Sequence, residues 1–141
     1  MQFFKFTKAG AAIGAQTAAG TSDVITNLRD VRSLAAQLHV TAAATDAGDI
    51  LAVWLQTSYD GGAKWHDVGR FADVLGNGGA VERIMRLTCD AVTTAEEAQQ
   101  DAAVAAGTVR NGPIGDRLRL KWTVTDDASF TFAVVGVAHT G

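Results

Sequence analysis

Thr57-Ser58-Tyr59-Asp60-Gly61-Gly62-Ala63-Lys64-Trp65 joins two strand-like runs, and the residue types in it are those a tight chain reversal demands. The Asp60 carboxylate can fold back onto backbone N–H groups two residues on. Gly61 and Gly62 can take φ > 0 without steric cost, and Trp65 re-enters an apolar layer as the return strand begins. Ser58, Asp60, Gly61, Gly62 and Trp65 are therefore assigned to a structural β-hairpin turn. Upstream of it, Ile50–Leu55 is apolar on both faces and predicts a central strand. Downstream, Trp65–Phe71 predicts the strand that pairs back.

The period of two continues away from this hairpin. Leu34, Ala36, Leu38 and Val40 alternate with Ala35, Gln37, His39 and Thr41, and Leu118, Leu120, Trp122 and Val124 alternate with Arg119, Lys121, Thr123 and Thr125. Phe130, Phe132 and Val134 repeat the pattern at the end of the chain. Between them lie reversals marked by residue type: Arg29–Arg32, Asp46–Asp49, Gly76–Gly79, Asn111–Asp116 and Asp126–Ser129. Val81–Thr88 mixes apolar and charged residues on both faces. Short strands at hairpin-like intervals predict an all-β fold, an antiparallel β-sandwich or jelly roll.

Three stretches depart from that rhythm. Residues 1–21 read as an N-terminal arm, with Phe3, Phe4 and Phe6 in a short strand, followed by a Gly/Ala-rich loop over Lys8–Thr21. Residues 22–141 read as a single sandwich domain, beginning with a strand-like run at Asp23–Leu28. Within it, residues 92–107 form an Ala-rich insertion, in which Thr94 and Glu97 have capping-box spacing and Gly107 can terminate the element. This predicts a helical or loop excursion near residues 93–106, held only by Ala98, Ala102 and Ala105 and therefore peripheral to the core.

Composition narrows the function classes. At 141 residues one domain is expected, long enough to build a core without staples. Charged residues are 19%, below the ~25% usual for soluble domains, which favours a protein that works packed against others. A net charge of −3 supplies no drive toward a polyanion, so no nucleic-acid partner is expected. No apolar run reaches the ~18 residues of a membrane span, and MQFFKFTKAG does not read as a signal peptide, so synthesis in the cytoplasm is expected. The one cysteine, Cys89, excludes an internal disulfide and reads as a small buried hydrophobe.

No catalytic, metal or cofactor pattern emerges. His39, His66 and His139 are far apart and lack ligand spacing. Asp46/Asp49 and Asp126/Asp127 fit turn chemistry better than a calcium loop, and no serine stands in a nucleophile motif. Gly76-Asn77-Gly78-Gly79 lacks the Lys-Ser/Thr of a phosphate loop. An enzyme is not expected. Arg117, Arg119 and Lys121 share one strand face and form a basic stripe, either solvated or a docking surface for an acidic partner.

The spacing Ser58-x-Asp60-x-Gly62-x-x-Trp65 resembles the Asp-box, a hairpin folding device of sialidase-type propellers and other β proteins. More broadly, the strand Arg32–Thr41, the stretch Leu55–Val68 and the closing Leu118–Thr125 with Ser129–Val134 resemble small β-sandwich head proteins of tailed bacteriophages, of the kind that decorate or cement the capsid. The resemblance implies a non-enzymatic virion structural protein on the capsid surface. Its partner would be the major capsid protein, and it would act as a homo-oligomer, a trimer being favoured. The candidate partner interface is Phe3, Phe4 and Phe6 with Arg117, Arg119 and Lys121. Two alternatives remain: Phe4 and Phe6 can instead belong to an ordinary edge strand, and Trp54, Trp65 and Trp122 can instead serve a carbohydrate-binding module if their faces are exposed.

Overall fold

A computed structural model describes residues 1–90, 100–125 and 128–141. Ten strands form two five-stranded antiparallel sheets packed face to face: β1 (Gln2–Lys5), β2 (Gly14–Gln16), β3 (Gly20–Thr21), β4 (Val31–Ala42), β5 (Ile50–Ser58), β6 (His66–Arg70), β7 (Val74–Leu75), β8 (Val81–Thr88), β9 (Arg117–Val124) and β10 (Phe130–Thr140). The first sheet runs β1-β10-β4-β8, with β2 also pairing β10. The second runs β3-β9-β5-β6, with β7 also pairing β5. Among the described residues there is no helix. The chain is a β-sandwich.

Alternation decides what lies between the sheets. Leu34, Ala36, Leu38 and Val40 of β4, and Phe130, Phe132 and Val134 of β10, face Leu51, Val53 and Leu55 of β5 and Leu118, Leu120 and Trp122 of β9. Trp122 is fully buried and meets Phe132 edge-on at 5.4 Å. Its indole leaves no room beside it: a Cβ on Gly20 would lie 2.9 Å from the ring, so β3 can pass only as glycine. The Asp23–Leu28 run forms no continuous strand. It makes one bridge, Ile25 to Leu118, and drops Leu28 into the core.

The N-terminal residues are not an arm. β1 pairs β10 from Gln2↔Ala138 to Lys5↔Val135, and Phe6 continues with its N–H donating to Val134 O at 3.0 Å. Phe6 is 1% exposed and Phe4 packs against the same core, their rings in edge contact at 5.5 Å. Phe4 and Phe6 are thereby withdrawn from the candidate partner interface, since their apolar surface is spent inside the sandwich. The Lys8–Thr21 stretch is likewise no free loop: it contributes β2 and β3, and Ile13 joins the core.

The Ala-rich insertion also departs from expectation. Thr94, Glu97 and Ala98 lie outside the described residues. From Gln100 onward the chain is irregular and docks on the second sheet. Arg70 N–H donates to Thr108 O, Arg110 N–H donates to Val68 O, both at 2.8 Å, and Gly69 bridges Val109. This segment covers the β6 edge, and Val104 is buried against Ala52 and Trp54. Ala105 is exposed and Ala102 only half-buried, so the grip comes from elsewhere than an alanine face.

Candidate interaction surface

The hairpin that organises the sequence is closed by side-chain oxygens. Ser58 Oγ donates to Asp60 Oδ1 at 2.9 Å and accepts from the Gly62 N–H at 2.9 Å, while Asp60 Oδ1 accepts from the Lys64 N–H at 2.9 Å. The Lys64 amide, followed by the Ser58 hydroxyl, holds the Asp60 carboxyl below its usual range. Gly61 and Gly62 have φ of 74° and 97°, as the turn requires. Trp65 is buried, but outside the inter-sheet core: the Arg119 guanidinium lies over its ring at 4.3 Å.

That stacking belongs to a polar layer on the outer face of the second sheet. Gln56, fully buried on β5, donates through Nε2 to Asp67 Oδ1 at 2.9 Å and to Asp101 Oδ1 at 2.7 Å. Its Oε1 accepts from Arg119 Nε at 2.9 Å. Asp67, also buried, accepts from three consecutive backbone groups: the Ala102 N–H at 2.8 Å, the Ala103 N–H at 2.8 Å and the Val104 N–H at 3.1 Å. The turn so formed carries Ala102 at φ 54°, a left-handed conformation that an alanine adopts only under constraint. Lys121 Nζ meets Asp101 Oδ1 at 3.1 Å, and the Arg70 guanidinium covers the Trp54 ring at 4.6 Å. Burial raises the Asp101 carboxyl, but hydrogen bonds from Gln56 and Lys121 and the charges of Lys121 and Arg119 outweigh it and leave it lowered. Burial lowers the Arg119 guanidinium, partly offset by Asp101.

This face is closed by the chain's own residues, and the layer has the character of a structural clamp. Two residues of the basic stripe are committed within it: Arg119 bonds Gln56 and Lys121 pairs with Asp101, while Arg117 lies 3.5 Å from its chain neighbour Asp116. Gln56 and Asp67, which hold the layer together, were not singled out by motif. The available signal was a glutamine inside an apolar run and an aspartate directly opposite it on the return strand.

The outer face of the first sheet is different. Register places Phe3, Val137, Ala35 and Arg86 in one row across the four strands; Lys5, Val135, Gln37 and Ile84 in the next; and Ala133, His39 and Glu82 in the third. Phe3 is 73% and Ile84 61% exposed, and Val135 is exposed between them. The ends of the face are charged, and His39 Nδ1 lies 3.0 Å from Glu82 Oε1. None of the chain's described segments covers it.

The remaining candidates are scattered. The His66 ring sits against Tyr59 at 5.5 Å, while His139 is exposed at the end of β10, and no three His, Cys, Asp or Glu side chains converge among the described residues. Asp46 receives the Gly48 N–H at 3.0 Å, as a turn aspartate should, while Asp126 and Asp127 lie outside the described residues. Trp54, Trp65 and Trp122 are all buried, so none presents a face for a sugar to stack on. Cys89 is buried, and burial followed by the Asp90 charge pushes its thiol up to about 11. No protein-family model, curated protein or solved structure matches this chain.

Proposed function

We propose that this protein is a non-enzymatic structural component of a phage capsid exterior, working by flat contact with other virion proteins. The observation that carries this reading is the asymmetry of the sandwich. One outer face is sealed by residues 100–110 and a polar clamp, whereas no segment among the described residues covers the other, which carries Phe3, Val135 and Ile84. Three large apolar side chains kept in water on one sheet face favour a partner for that face. Low charge content and the resemblance of the strand and hairpin stretches to capsid-decorating head proteins support the same assignment. The major capsid protein is the proposed shell partner, and self-association, the trimer included, belongs to the same proposal. A carbohydrate-binding role has less to rest on, because the three tryptophans that suggested it are buried.

The test is a protein inventory of purified particles of the source phage. The reading expects this chain in a fixed ratio to the shell protein, set by the symmetry of the shell. Its absence from intact particles would overturn the proposal.

A further inference from the structure

The bare face carries its own charge pattern, and that pattern is self-complementary. On β8, Glu82, Ile84 and Arg86 point outward two residues apart, each in register with one row of the sheet: His39, Gln37 and Ala35 on β4, and Ala133, Val135 and Val137 on β10. The middle row is thus flanked by an acidic end on one side and a basic end on the other, at equal steps along the same edge strand. A two-fold axis lying in the plane of contact along the middle row keeps β8 over β8 and exchanges the two outer rows. It sets Arg86 of each copy against Glu82 of the other, Val137 against Ala133, and Ile84 and Val135 against themselves. Val137 then meets the smaller Ala133, the apolar Ile84 and Val135 meet their own copies, and both ionic pairs are attractive. Lys5 meets its own counterpart, but it lies on the β1 edge of the face, where a long side chain can turn to water.

We infer that the bare face of the first sheet is a two-fold contact between two copies of this chain, fixed in register by reciprocal Arg86–Glu82 pairs. This names the occupant of the face and rests on the reading of that face as a contact surface. It makes a pair, in place of a trimer, the unit built through this sheet. The size of the face agrees with a reversible pair. Strands of this length at ~4.8 Å spacing and ~3.3 Å per residue cover roughly 600 Å² per copy. A standard stable complex buries about 800 Å² per partner. The association should therefore be reversible and should depend strongly on its charged ends, since like charges set opposite each other across a contact are costly.

The experiment is a charge exchange read by sedimentation velocity across a concentration series, using the full chain. Arg86 and Glu82 are exposed, so R86E and E82R should fold as the wild type does, which far-UV circular dichroism checks. The wild type is expected to dimerise, and each variant alone to lose at least about a hundredfold in dimer affinity, because both symmetric pairs become repulsive. Mixing R86E with E82R makes both cross-pairs attractive and is expected to restore a heterodimer. A wild type that stays monomeric throughout, variants that self-associate like the wild type, or a mixture that stays monomeric would each overturn the inference. Binding to capsid particles is measured separately. A charge-dependent dimer that ignores particles would count against the virion reading and leave the two-fold contact standing, whereas a monomer that binds particles would do the reverse.

Discussion

Val104 is held at both its backbone groups: the Asp67 carboxylate accepts the Val104 N–H at 3.1 Å, and the Val104 carbonyl accepts from Trp54 Nε1 at 3.4 Å on the same sheet face. One buried carboxylate thereby fixes a segment that has little apolar surface of its own. Replacing it with alanine leaves the Ala102, Ala103 and Val104 N–H groups without their acceptor. Asp67→Ala should destabilise the protein by about 3 kcal/mol in denaturant unfolding, with Asp67→Asn losing less. Amide exchange at Ala102–Val104 should accelerate in both. Unchanged exchange there would show that the segment is held by something other than Asp67.

Phe6 sits in the core, so truncating the N-terminus should act on folding. Phe6→Ala should cost about 3–5 kcal/mol by denaturant unfolding, whereas Phe3→Ala should leave stability nearly unchanged. Equal, small effects of the two substitutions would revive the free-arm reading.

Gly136 of β10 stands in register with Phe4 of β1. A Cβ there would come within 2.6 Å of Ala35 O, a backbone atom that cannot move aside cheaply, and would press into the Phe4 ring. Gly136→Ala should lose roughly 1–3 kcal/mol and displace Phe4, seen as changed aromatic side-chain shifts in NMR. At Gly62 the surroundings are open enough for a methyl group, and the constraint is the φ of 97°. Gly62→Val should cost on the order of 1–3 kcal/mol by straining that turn. Full stability in either variant would mean the local backbone is not as described.

The hairpin should loosen in acid. The folded Asp60 carboxyl is held below the ordinary 3.8 by the Lys64 amide and the Ser58 hydroxyl. Its contribution is therefore fully present above that value and is lost as pH falls through the lower, folded one. Asp60→Ala should melt below the wild type at pH 7, and the gap should close in strong acid. A gap independent of pH would show that the carboxylate charge plays no part in the turn.

Cys89 should resist thiol reagents. With its thiol pushed up to about 11 and buried, the thiolate is scarce at neutral pH. Labelling by a maleimide in native buffer should be slow and should become rapid in denaturant. Fast native labelling would place Cys89 at the surface.

The sandwich was legible because its long strands obey a strict period of two. Leu34–Val40, Leu118–Trp122 and Phe130–Val134 can bury one face in only one register, so pattern alone assigns it. The hairpin was legible because Asp60 and the two glycines are chosen by local backbone geometry. The strands β2 and β3 were not, because three and two residues carry no period and exist only through β10 and β9 far along the chain. The docking of residues 100–110 was hidden for a similar reason: its anchor, Asp67, is more than thirty residues away, and nothing local to the return strand shows which backbone groups its carboxylate receives. The basic stripe was seen, but the pairing of Lys121 with Asp101 and of Arg119 with Gln56 is a tertiary matter.

Adding the purified protein back to capsid particles that lack it, followed by cosedimentation, tests the central claim most directly. The account predicts saturable binding, at a ratio to the shell protein set by capsid symmetry, together with greater resistance of the loaded particles to heat. Particles that sediment without the chain at every concentration, with unaltered heat resistance, would contradict it.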